Sequence, residues 1–88
     1  MSYEIRWSAA AQKTLERLPE KVATACVEFV YGGLTQNPWR VGKALRFDLE
    51  GLHSARRGDY RVVYLIEDNR ACITVVAVQH RADVYRSQ

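Results

Sequence analysis

The run from Leu52 to Tyr64, Leu-His-Ser-Ala-Arg-Arg-Gly-Asp-Tyr-Arg-Val-Val-Tyr, reads as a β-hairpin closed at Gly58-Asp59. The first position of a two-residue hairpin turn needs a positive φ, which glycine adopts without steric cost. After the turn, Tyr60, Val62, Tyr64 and Ile66 alternate with Arg61, Val63, Leu65 and Glu67, as a two-sided strand requires. The loop length then sets the register: Arg57 with Tyr60, Arg56 with Arg61, Ala55 with Val62, Ser54 with Val63. Ala55 and Val62 share the core face, and Arg56 and Arg61 face each other on the opposite side. Like charges so placed destabilise an isolated sheet. Either both arginines splay into solvent or pair with acids, or the face is built for a polyanion, since guanidinium forks match phosphate.

At 88 residues the chain makes one small domain, 1–88, with a modest core that a permanent partner would enlarge. A 48% hydrophobic and 26% charged composition is that of an ordinary globular protein. No apolar run is long enough to span a bilayer, and the N-terminus lacks the sections of a signal peptide, so no membrane association and a cytoplasmic location are expected. The net charge is +3; residues 1–39 carry four basic and four acidic side chains, and residues 40–88 nine and six. The excess sits with the hairpin, which favours a nucleic acid or an acidic protein segment as partner. Cys26 and Cys72 show neither metal nor redox spacing and read as small buried hydrophobes.

In chain order, Tyr3 to Trp7 alternates as a first strand, and Ser8 suits the N-cap of a helix over Ala9 to Leu18. Pro19 ends that helix and opens a second, from about Glu20 to Tyr31, with Gly32-Gly33 as its stop. The two form an αα-hairpin that covers one face of a sheet. Leu34 to Lys43 reads as a loop in which Trp39 plugs the edge of the core. Ala44 to Gly51 is a short strand or a turn. After the turn Asp68-Asn69-Arg70, Ala71 to Gln79 is apolar on both faces, as a central strand should be. The expected fold is α+β: two N-terminal helices packed on one face of a twisted antiparallel four-stranded sheet, in the order β-α-α-β-β-β.

No phosphate-cradling glycine loop, dinucleotide fingerprint or metal-ligand spacing is present, and no cofactor is expected. What remains is the arginine face with the C-terminal His80, Arg81 and Tyr85. Register decides which of these joins it. A loop of Asp68-Asn69 pairs Val76 with Arg61 and puts His80 on the arginine face; a loop one residue longer gives that place to Arg81. His53 falls on the Ala55 face, as a partly buried, hydrogen-bonded side chain. Such a group suits metal-free RNA cleavage, which needs a base for the 2′-hydroxyl, cations for the phosphorane and an acid for the leaving oxygen. Arginine supplies charge but no base. Histidine titrates near neutral pH, which makes His80 the first choice for proton transfer, and Tyr85 can stack on a base.

Taken together, Leu18-Pro19-Glu20, Asn37-Pro38, Gly42-Lys43 to Leu45-Arg46, Gly51-Leu52, Ser54-Ala55-Arg56, Gly58 to Tyr64, and His80-Arg81 followed by Val84-Tyr85 resemble the RelE/ParE superfamily of toxins from type II toxin–antitoxin systems. The likeness covers nearly the whole chain. The RelE branch is similar in its arginines at Arg61 and Arg81, its basic residue at Arg56 and its tyrosine at Tyr85. That resemblance implies a ribosome-dependent mRNA endoribonuclease with Arg56, Arg61, Arg81 and Tyr85 as catalytic residues, to which the reading of titratable groups adds His80. It further implies RNA contacts at Lys43, Arg46, Ser54, Arg56 and Arg57. The chain departs from the best-known RelE pattern, which has lysines on the first hairpin strand where this one has Ser54 and Arg56, and the weight on His80 as base rises accordingly. Implied partners are the ribosome, mRNA and an acidic RelB-like antitoxin in a hetero-oligomer. The ParE branch implies instead a non-enzymatic inhibitor of DNA gyrase, and a third reading is an inactive, antitoxin-binding remnant.

Overall fold

The structure, a computed structural model, describes residues 3–45 and 51–80. Strand β1 (Glu4–Trp7) leads into α1 (Ala9–Arg17), and α2 (Glu20–Phe29) runs on into a π-helical turn over Val30–Leu34. A short α3 (Pro38–Val41) precedes β2 (Lys43–Ala44), and β3 (Leu52–Arg57), β4 (Tyr60–Glu67) and β5 (Cys72–His80) follow. The strands form one sheet in the order β1-β5-β4-β3-β2. Ala11, Cys26, Val30 and Leu34 from the helical layer pack with Ala55, Val62, Tyr64, Ile73, Val75 and Val78 from the sheet in one buried cluster. Both cysteines are free and buried, as expected of small apolar residues.

The architecture is the expected α+β layer, with two differences in the sheet. It has five strands, β2 straddling the end of the expected loop and the start of the Ala44 to Gly51 segment, of which residues 46–50 lie outside the described residues, and β1 runs parallel to β5. Tight turns force β3, β4 and β5 to alternate in direction. β1 reaches the sheet through the helical layer, and so long a connection leaves its direction free.

Ser8 caps α1 by accepting from the Ala11 N–H at 3.0 Å. Leu18 and Pro19, both extended, separate the two helices. Gly32-Gly33 does not stop the second helix. Cys26, Val30 and Leu34 recur at four-residue intervals and are all buried, so the core holds the chain helical through the glycines. The buried Thr35 hydroxyl meets the carbonyls of Tyr31 and Gly32 at 2.9 and 3.0 Å, which satisfies groups that the widened turn releases. The loop expected from Leu34 also contains α3, with Pro38 in its first turn.

The β4–β5 connection is a 3₁₀ turn, Asp68–Arg70, closed by Ala71 at φ +49°. A left-handed alanine carries strain that glycine lacks. Ala71→Gly is therefore expected to stabilise the fold by about 0.5–1 kcal/mol. Urea unfolding tests this, and a lower midpoint in the variant would contradict it.

Candidate functional site

The hairpin forms as the sequence dictates. Gly58 has φ +62°, Asp59 keeps a negative φ, and Arg56 stands opposite Arg61 with Arg57 opposite Tyr60. On the face away from the helices, β2 adds Lys43 opposite Ser54. Lys43, Ser54, Arg56 and Arg61, with Val41, line a concavity of ≈ 240 Å³. Three strands thus bring three cations and a hydroxyl around one hollow, with no carboxylate among the described residues that line it. Among the described residues the only ion pair is Arg6–Glu4 at 3.9 Å, so neither Arg56 nor Arg61 is neutralised by an acid there. Arg56 is exposed, and Arg61, on the more central strand, is partly buried.

Arg57 lies on the other side. It lines a second concavity of ≈ 260 Å³ with Lys21, Val22, Ala25, Cys26 and Tyr60. Burial pushes the Cys26 thiol up, and the Arg57 charge partly opposes this. Arg46, Arg81 and Tyr85 lie outside the described residues.

The β4–β5 register differs from both alternatives considered above. Glu67 pairs with Cys72 and Tyr64 with Val75, but Val63 pairs with Ala77, so Val76 is an extra residue on β5. Beyond this bulge Arg61 faces Gln79, and His80 faces Tyr60 on the helix side, the two rings edge to face at 5.1 Å. A bulge reverses which face each later residue takes. His80 accordingly does not share the arginine face, and Gln79, which sequence reasoning passed over, does. The run Val75-Val76-Ala77-Val78 is apolar throughout and gives no sign of the shift.

The wall of the hollow is pinned from the core. Tyr64 is fully buried, its hydroxyl donates to the Pro38 carbonyl at 2.7 Å, and burial pushes its pKa up to about 12, the nearby Gly42 backbone partly opposing the rise. His53 is buried on the Ala55 face as expected, between Trp39 at 4.9 Å and Tyr64 at 5.7 Å. Its Nδ1, expected to be hydrogen-bonded, has no partner among the described residues. Trp39 does rest on the edge of the core, yet it is 54% exposed, with Nε1 donating to Asp68 at 3.2 Å. The Tyr3 hydroxyl donates to the same carboxylate oxygen at 2.7 Å, tying the N-terminus to α3 and the β4–β5 turn.

Comparison with known proteins places this geometry. Residues 5–85 match the family described as ParE toxin of type II toxin–antitoxin system, parDE. The chain is similar to Toxin RelE of Mycobacterium tuberculosis, 56% identical over 96% of this chain and 87% of that protein. It is also similar to Toxin RelG of the same organism, 45% identical over 98% of this chain and 99% of that one. Among solved structures, the RelBE2 toxin–antitoxin complex of M. tuberculosis superposes with a TM-score of 0.89 at 43% identity, covering 94% of this chain and 95% of that one. The isolated Escherichia coli RelE toxin shares the fold at 19% identity, with a TM-score of 0.74 over 98% and 94% of the two chains. This chain belongs to the RelE/ParE superfamily and is a toxin of a type II toxin–antitoxin system.

Proposed function

We propose that the chain is a ribosome-dependent endoribonuclease that cuts mRNA by metal-free attack of a 2′-hydroxyl on the adjacent phosphate. The observation that carries the reading is the convergence of Lys43, Arg56 and Arg61 on one hollow that no carboxylate among the described residues lines. Phosphate contacts of this kind position a strand. Fixed cations around the phosphorane stabilise its extra charge, usually the largest single contribution to such catalysis. The reading assigns charge stabilisation to Arg56, Arg61 and Arg81, and alignment of the base to Tyr85. His80, turned toward Tyr60, loses its place as first choice for the general base. A cytoplasmic site of action suits this target, and no helix among the described residues is long and apolar enough to cross a membrane.

An antitoxin partner belongs to the same reading. A similar chain is solved as a toxin–antitoxin complex, and a basic surface on so small a domain suits an acidic segment that folds as it binds. The deciding experiment is primer extension on a message mixed with purified toxin, with and without translating ribosomes. New 5′ ends on translated message, absent from naked RNA, are the expected result; an intact translated message overturns it. The family match to a ParE toxin favours a gyrase supercoiling assay alongside. Inhibition of supercoiling with no RNA cleavage would establish the non-enzymatic reading instead.

A further inference from the structure

We propose that Gln79 contacts the edge of an RNA base beside the arginine hollow, put there by a bulge at Val76 that the Ser8 hydroxyl holds. The proposal rests on the ribonuclease reading and deepens it. Opposite residues on neighbouring strands lie about 5 Å apart, so the Gln79 amide stands beside the Arg61 side chain on the same face. Gln79 is partly exposed, and among the described residues no hydrogen bond engages its amide. Lysine and arginine at such a site grip phosphate and read no sequence. An amide offers two donors and an acceptor in one plane, the pattern that pairs with a base edge. Beside three cations, it is the group suited to discriminate among bases.

The placement depends on the bulge. Were β5 regular, the pairing of Tyr64 with Val75 would continue to Arg61 with Val78, and Val78 would leave the core for the arginine face. Gln79 would then turn toward the helices. Two features oppose that slip. Val78 is 3% exposed and packs in the core. The other is Ser8: its N–H donates to the Val75 carbonyl at 2.9 Å, in step with the β1–β5 ladder, and its hydroxyl reaches one residue further to the Val76 carbonyl, also at 2.9 Å. A bulge residue drops out of its ladder, and its carbonyl needs such a partner. The Ser8 Oγ also caps α1, accepting from the Ala11 N–H. Ser8 is thus a positioning residue for the face, acting through the backbone of β5.

The test maps cleavage sites on translated message by primer extension for wild type and Gln79→Leu, with thermal unfolding as the check on folding. Gln79→Leu is expected to keep the wild-type midpoint, to shift the distribution of cut sites and to lower cleavage at the preferred one about tenfold, the worth of one ordinary hydrogen bond. Unchanged sites and rates, with an active wild type, overturn the Gln79 proposal and leave the ribonuclease reading standing; a wild type that does not cut overturns both. The register is read independently, from the nuclear Overhauser contact between the rings of Tyr60 and His80. Ser8→Ala is expected to weaken that contact and shift the cut sites, and Ser8→Thr, which keeps the hydroxyl, to restore both. A Ser8→Ala variant with the contact and the cut sites intact would remove Ser8 from the proposal.

Discussion

Arg61→Ala is expected to lower cleavage of translated message by roughly 10²–10³-fold, the usual cost of removing one donor from a charge-stabilising site, while leaving the fold at least as stable. The two effects have opposite signs for one reason. Arg61 stands opposite Arg56 with no acid on either among the described residues, so each guanidinium repels the other in the free protein. Taking one away relieves that repulsion and leaves nothing unpaired, which should raise stability by a few tenths of a kcal/mol. On the ribonuclease reading bound RNA reverses the balance, because a phosphate held between the two cations would lose one of them. Arg61 should matter more than Arg56, since it is partly buried and Arg56 is exposed, and a cation shielded from water interacts more strongly. Arg61→Lys keeps the charge without the fork and should recover part of the loss. Arg57→Ala, on the helix side, should cost far less. Cleavage assays paired with thermal unfolding give both numbers. Arg61→Ala cleavage within about threefold of wild type, against a contribution of the size cited, would remove the arginine hollow from the chemistry.

What the sequence made legible follows from how locally each feature is determined. The β3–β4 register needs only the two residues Gly58 and Asp59, and every pair inferred from them is present. The helices are equally local, with Ser8 as cap and Leu18-Pro19 as break. The β4–β5 register is different. Val75, Val76, Ala77 and Val78 satisfy either face, so composition cannot place a bulge; the contacts that accompany it are long-range, the burial of Val78 in the core and the bond to the Val76 carbonyl from Ser8, sixty-eight residues away in sequence. That single insertion exchanges His80 for Gln79 on the arginine face. The glycine pair at 32–33 misled for a related reason, since the buried stripe of Cys26, Val30 and Leu34 outweighs a helix-breaking pair by tertiary packing. Lys43 was legible through family likeness, yet its place opposite Ser54 depends on a two-residue strand too short to show periodicity.

Gly42→Ala is expected to destabilise the protein by about 3 kcal/mol, the sum of an overpacked core and a lost buried hydrogen bond. The backbone there is ordinary, with φ −109° and ψ −178°, so space rather than conformation demands glycine. A Cβ would collide with the Tyr64 hydroxyl and lie 2.7 Å from the Ser54 carbonyl oxygen. Neither neighbour can withdraw. Tyr64 is fully buried beside His53 and bonded to the Pro38 carbonyl, and Ser54 is held in β3 against both β2 and β4. The segment carrying Gly42 must therefore move outward, taking Val41 and Lys43 from the hollow they line. In a domain of this size such a loss lowers the melting midpoint by roughly 12–24 °C, and cleavage should fall as well. The mechanism has its own signature. Tyr64→Phe removes the hydroxyl that obstructs the new methyl group, and alone it should cost about 1 kcal/mol for the bond to Pro38. Combined with Gly42→Ala it should cost clearly less than the two changes added, because the second relieves the collision made by the first. Strict additivity in that cycle would mean that the Tyr64 hydroxyl does not set the size of residue 42.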